Sequence, residues 1–183
     1  MRETHHAPDR LELVREFVNS LDIEESTDEL GDGSSAADWL RQHGLGERKL
    51  LTGEERRRLI AVREAIRELL LANNAGDAPP PDALAALNAA SSDIALGLRF
   101  RPQGTELVSG SGGIDAALGE VLARVHEAMG DDTWGRLKAC PAPECHWAFY
   151  DRSRNRSATW CQMGECGNRN KARAFRARRR KEK

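Results

Sequence analysis

Residues 140–173 read CPAPECHWAFYDRSRNRSATWCQMGECGNRNKAR and hold all four cysteines of the 183-residue chain, spaced Cys140-x4-Cys145-x15-Cys161-x4-Cys166. Two close pairs separated by a mid-length loop are what a tetrahedral zinc ion asks of a chain. Each pair makes a tight turn that aims two sulfurs at one point, and the intervening loop folds back. Pro141 and Pro143 stiffen the first turn and reduce the entropy lost on closing it. Gly167 lets the backbone pass close to the metal or turn into the next helix. Thiolates exclude magnesium and calcium as natural occupants. Four of them leave no position for water, so the predicted cofactor is one structural Zn²⁺, not a catalytic one. A redox thiol pair, two disulfides and an iron–sulfur cluster are the alternatives. In a reducing cytosol, clustered cysteines more often bind metal than each other.

Zinc also answers a problem of size. The stretch from Cys140 to Lys183 is too short to bury a core of its own. Metal binding worth roughly 10 to 16 kcal/mol can fold such a module. Four of the nine aromatic residues, Trp147, Phe149, Tyr150 and Trp160, fall inside it and are expected to form its compact core. An exposed ring among them would stack on a nucleic-acid base.

Outward from the cysteines the charge divides sharply. Residues 140–183 hold 12 Lys and Arg against 4 Asp and Glu, a balance of +8, whereas residues 1–139 hold 16 against 25, a balance of −9. The chain total of −1 hides a basic tail on an acidic body. Four thiolates with Zn²⁺ add −2 to the tail and still leave it clearly basic. From Asn168 onward the chain lacks Pro and Gly and reads as a helix. Arg169, Arg173, Arg176 and Arg180 follow steps of 4, 3 and 4, one helical stripe. Phe175 lies on an adjacent face and is expected to dock on the zinc module.

The preceding 139 residues read as a mainly helical body with one short β-hairpin. Leu11, Val14, Val18 and Leu21 have helical spacing over residues 10–22. Residues 23–34 are acidic and rich in Gly and Ser, a loop. Ser35 and Asp38 have capping-box spacing ahead of Trp39-Leu40, and Thr52 and Glu55 repeat it before the longest helix, which runs to about Asn73. The Ala78-Pro-Pro-Pro-Asp82 segment ends that element and precedes a short alanine-rich helix. Residues 94–101 and 105–108 predict the hairpin, and Ile114–Met129 another amphipathic helix. Phe17 and Trp39 are expected in the core, and His5 and His6 in solvent. The GSGG run at 110–113 lacks the lysine of a phosphate-binding loop. No apolar run approaches the roughly 18 residues that span a bilayer, and the polar start lacks the core of a secretion signal, so the expected location is the cytoplasm.

The stretch Cys140–Arg173 closely resembles the CGNR-type zinc fingers, named for the tetrapeptide found here as Cys166-Gly167-Asn168-Arg169. The Cys-Pro opening, the Phe149-Tyr150-Asp151 segment, Ser153-Arg154-Asn155-Arg156-Ser157, Trp160-Cys161 and Met163 extend the likeness. Such fingers usually follow a helical domain called ABATE. Phe17-Val18-Asn19-Ser20, Trp39-Leu40 and the Arg63–Arg67 helix resemble it over most of residues 8–130. The resemblance implies a bacterial transcription regulator with residues 1–135 as the ABATE-like body, suspected of sensing a small molecule, and residues 136–183 as the DNA-binding finger.

The residues themselves support metal and polyanion binding. Lys and Arg pair with phosphates and give affinity with little sequence information. Base edges are read best by Arg on guanine and Asn on adenine. Asn168, Arg169, Lys171, Arg173, Arg176 and Arg180 on the helix, and Arg152, Arg154 and Arg156 in the loop, are the candidate nucleic-acid contacts. For the loop, bracing of the zinc site by Asn155 and the serines is the competing role. The functional expectation is a DNA-binding transcription regulator. Alternatives are an RNA-binding zinc protein, which would splay bases on Trp147 or Tyr150, and a protein-interaction module. Nothing pairs a nucleophile with a base, so an enzyme is not expected. No heptad predicts self-association.

Overall fold

The computed structural model describes residues 6–102 and 104–181. Helix α1 (Asp9–Asn19) turns Leu11, Val14, Phe17 and Val18 wholly inward. It stops before Leu21, which opens a two-residue ladder instead: β1 (Leu21–Asp22) pairs antiparallel with β2 (Thr27–Asp28) inside the expected acidic loop. Asp28 explains why that loop is ordered. Its carboxylate takes both terminal nitrogens of the buried Arg63, at 2.6 and 3.1 Å.

Helix α2 (Gly33–Gln42) begins one turn earlier than the Ser35–Asp38 spacing suggests. Asp32 is its cap, accepting from the Ser34 and Ser35 N–H groups, and Ser35 Oγ accepts from Asp32 N in return. The box is therefore made by Asp and Ser, and Asp38 is left to pair with Arg41. Helix α3 (Gly53–Ala75) starts on the expected Thr52–Glu55 box and ends at Gly76, whose φ of +75° is the left-handed cap glycine permits. Pro81 opens α4 (Pro81–Ser92). Strands β3 (Leu96–Arg101) and β4 (Gly104–Ser109) form the predicted hairpin, and α5 (Gly113–Gly130) follows.

Helices α1 and α3, with α5, surround one apolar core built from Leu11, Phe17, Leu59, Ile66, Leu118 and Val121 among others. Phe17 and Trp39 meet inside it, ring centres 5.5 Å apart. A short 3-10 turn, Trp134–Arg136, leads into β5 (Leu137–Ala139), which pairs antiparallel with β6 (Ala148–Tyr150). The period-2 alternation of strands divides these six residues between two faces. Leu137, Ala139, Ala148 and Tyr150 join the helical core, while Phe149 faces the cysteines. Tyr150 is thus a body residue, not part of the zinc module's aromatic cluster. A π turn, Met163–Gly167, and α6 (Asn168–Lys181) complete the chain. The fold is mainly α with small strand pairs and a four-cysteine module, as expected. Among the described residues, no helix is long and apolar enough to cross a membrane.

Candidate metal centre and basic helix

The cysteines converge because two turns and one ladder bring them together. Cys140 leaves β5, and its N–H donates to Trp147 O at 3.0 Å. The Cys145 and His146 N–H groups both donate to Ala142 O, closing the first turn, and His146 adopts φ +48° to leave it. Cys161 follows Trp160, and Cys166 sits in the π turn, which Gly167 N closes on Gln162 O at 3.2 Å. A Cβ on Gly167 would stand 2.4 Å from Met163 Sδ and 3.2 Å from Trp160 Cδ1, so this glycine serves close packing. Phe149 is buried among the cysteines, with Trp147 and Trp160 partly buried against them.

All four sulfurs lie within 4.8 Å of one another, and all four cysteines are buried. Cys161 Sγ is 3.5 Å from Cys145 Sγ and 3.7 Å from Cys166 Sγ. A tetrahedral zinc with Zn–S near 2.3 Å sets its sulfurs about 3.8 Å apart, so the donor set and its spacing fit one zinc ion. The protonation chemistry agrees. The Cys145 and Cys161 thiols donate to Cys140 and, with the Cys161 and Ala142 N–H groups, hold it at about 4, whereas its thiolate pushes Cys145 and Cys161 up. Four thiolates at this spacing need a cation between them. The Ala142 N–H turns to Cys140 and the Trp147 N–H to Cys145, two residues ahead in each case.

The loop that follows β6 rests on a buried ion pair. Lys138 Nζ donates to Asp151 Oδ2 at 2.8 Å, to Arg156 O at 2.7 Å and to Ala158 O at 3.0 Å. Asp151 also accepts from the Ser153 and Ala158 N–H groups, at 2.9 Å each. Arg136 Nη1 donates to Asp151 O and Ser153 O from behind. Burial pushes the Asp151 carboxyl up, but Lys138 and the Ser153 bonds outweigh it and lower it overall. Bracing of the loop is therefore real, though Lys138 and Asp151 carry most of it. Of the serines, Ser153 contributes by accepting from Ser157 N.

The candidate nucleic-acid residues fall into two groups. Arg152 donates to His6 O at 3.1 and 2.7 Å, and Arg156, at φ +52°, pairs with Asp132 at 2.8 Å. Asn168 Nδ2 donates to Gly164 O at 2.9 Å and locks the π turn. Arg169 Nη2 lies 3.2 Å from Cys166 Sγ and 3.3 Å from Glu24 Oε2, with Nη1 on the other Glu24 oxygen. Arg173 pairs with Glu144. By contrast Arg154, Lys171 and Arg176 are exposed and have no acidic partner among the described residues. The side chain of Arg180 lies outside the described residues, as does all of His5. Phe175 does not dock on the zinc module. It is 56% exposed beneath the Arg179 guanidinium, because α6 meets the module through its first turn and Phe175 stands beyond it.

Periodicity could not reveal the joint between body and module. Asn19 makes a reciprocal pair with Ala148, donating to its O at 2.9 Å and accepting from its N at 2.7 Å. Asn74 Nδ2 donates to Ala139 O and Thr159 O, both at 2.7 Å. Arg67 reaches Val18 O at 2.7 Å and His146 O at 2.9 Å. Asn19, Arg63 and Arg67 lie in the segments that carry the resemblance above. The only signal specific to them is charge or amide on an otherwise apolar helical face.

Comparison with known families agrees with this geometry. No curated protein matches the chain. Residues 136–179 match the CGNR zinc finger, and residues 11–132 match ABATE, a family described as "Putative stress-induced transcription regulator". With two thirds of its length in that match, and the buried four-cysteine site behind it, the chain belongs to the ABATE family and carries a CGNR zinc finger.

Proposed function

We propose that this chain is a cytoplasmic, bacterial transcription regulator that binds duplex DNA through its zinc-ordered basic helix. The observation that carries the reading is the division of charge on α6. Arg169 and Arg173 are held by Glu24 and Glu144, while Lys171, Arg176, Arg178 and Arg179 stand exposed with no acidic partner among the described residues. A set of unpaired cations spread around a helix anchored to the four-cysteine module is suited to the DNA backbone. Arg154, on the braced loop, adds another unpaired cation. Arg152 and Arg156 extend the surface, and Asn168, Arg169 and Arg173 mark the helix end nearest base edges once their contacts exchange. The four-cysteine shell is closed, so the metal orders the module and does no chemistry.

Residues 136–183 form the DNA-binding unit in this reading, and residues 1–135 the body that senses. Support for sensing comes from a half-open, mainly apolar pocket of about 460 Å³ lined by Leu40, Leu45, Leu51 and Ile114, with Glu47 and Arg48 also in its lining. Its size and lining suit a small apolar molecule.

The test is fluorescence anisotropy with duplex DNA across a salt series, on zinc-loaded and chelated full-length protein. Binding that weakens steeply with salt and is lost on chelation supports the reading. Lys171→Ala with Arg176→Ala should lower the salt slope by about 1.8, since each phosphate contact contributes about 0.9. Preference for single-stranded RNA at equal salt would replace DNA with RNA. Zinc-loaded protein with no nucleic-acid affinity at low salt would move the function to a protein partner.

A further inference from the structure

Strand β3 shows its apolar side to solvent. Leu96, Leu98 and Phe100 alternate along it and so share one face. They are 38%, 64% and 79% exposed, and Phe100 is the most exposed large apolar residue among those described. The hairpin has only two strands, so the edge of β3 away from β4 has no ladder partner among the described residues. Such an edge is normally blunted by lysine, proline or a free inward charge. The charges present are Arg99 and Arg101, and both are drawn across the hairpin to Glu106 Oε1, at 3.4 and 2.7 Å.

Gly97 adds an independent observation. Its φ is not positive, and a Cβ built there would meet nothing within 4 Å, so its own fold does not require glycine. Glycine inside a strand weakens it, and often marks the close approach of another chain.

We infer that β3 pairs antiparallel with the β3 strand of a second copy of this chain, about a twofold axis at Leu98. The strand is complementary to itself in this register. Leu98 then faces Leu98 of the second copy, and Leu96 faces Phe100 of the second copy in both directions. Leu107, opposite Leu98 within each hairpin, extends the leucine row across all four strands. Arg99 falls opposite Gly97, which leaves room for its side chain, and Arg101 opposite Ala95. No like charges sit directly opposite each other. Moving the axis to Arg99 would set two arginines directly opposite each other, which is unfavourable. Moving it to Gly97 would leave Phe100 beyond the paired strand. The merged four-stranded sheet pairs the free edge of β3 in each copy and sets the two apolar strips side by side on one face.

Sedimentation velocity of the zinc-loaded full chain tests this. The wild-type protein is expected to run as a dimer at micromolar concentration. Leu98→Glu and Leu98→Lys alone should each weaken the dimer about tenfold or more, because each loses the leucine pair and sets two like charges directly opposite each other. Zinc content and far-ultraviolet circular dichroism should stay unchanged. Mixing the two variants in equal amounts should restore the dimer, since glutamate then meets lysine. A monomeric wild type, or single variants that still dimerise, overturns the proposal. Variants that stay monomeric on mixing overturn the pairing of Leu98 with itself.

Discussion

Arg169 Nη2 lies 3.2 Å from Cys166 Sγ, so the arginine of the Cys-Gly-Asn-Arg tetrapeptide touches the metal shell itself. Four thiolates around Zn²⁺ carry a net −2, and a guanidinium against one sulfur offsets part of it. Glu24, from the β1–β2 turn of the body, holds the same side chain from the other side. One arginine therefore ties the zinc site, the start of α6 and the acidic loop together. The four residues of the tetrapeptide thus act in turn as sulfur donor, close-packing glycine, turn lock and counter-charge.

Replacing Arg169 by alanine should lower zinc affinity about ten- to a hundredfold, the usual cost of losing a partner of a metal ligand. Competition with a chromophoric chelator measures it. Unchanged zinc affinity combined with lost DNA binding would instead make Arg169 a direct DNA contact.

Lys138 and Asp151 form the buried pair under the arginine loop. Lys138→Met leaves Asp151 without its cation and the Arg156 and Ala158 carbonyls without their donor, so stability should fall by about 3 to 5 kcal/mol. Urea unfolding followed by tryptophan fluorescence reads this. A loss below about 1 kcal/mol would show that the loop does not depend on the pair.

Removing zinc should also destabilise the helical body. Leu137, Ala139, Ala148 and Tyr150 belong to its core, yet sit on the two strands that frame Cys140 and Cys145. Calorimetry should show one main transition in the zinc-loaded chain and a lower, broader one after chelation. A body transition that does not move on chelation would mean that the two parts fold independently.

Glu12 sets a dependence on pH. Burial raises its carboxyl, but bonds from Arg15, His6 and the Ala7 N–H hold it at about 2, against 4.5 when unperturbed. Its contribution is therefore complete above about pH 4.5 and disappears as the pH falls towards 2. Solvent screening limits it to about 1 to 2 kcal/mol. Glu12→Gln should be less stable than wild type at pH 7, with the gap closing on acidification. Asp28 and Asp151, also lowered, act in the same direction in both proteins. A gap that is constant from pH 7 to pH 3 would show that Glu12 is not ionically engaged.

The sequence by itself determined the main helices, the β3–β4 hairpin and the metal. Apolar spacing located the helices, the Thr52–Glu55 box and the prolines after Ala78 bounded α3, and cysteine spacing pointed to the four sulfurs that converge. These are legible because each depends on neighbours a few residues away, where the period of a helix or a turn is written into the chain. Tertiary structure alone decided which charges are free. Arg169 meets Glu24 and Arg152 meets His6 O across 145 and 146 positions, and no local pattern encodes such distances. It also decided the fate of Tyr150 and Phe149, adjacent in sequence but sent by strand alternation into different cores. Phe175 departs from expectation for the same reason: helical periodicity says which face a side chain shares, but only packing says where the surface beneath that face ends.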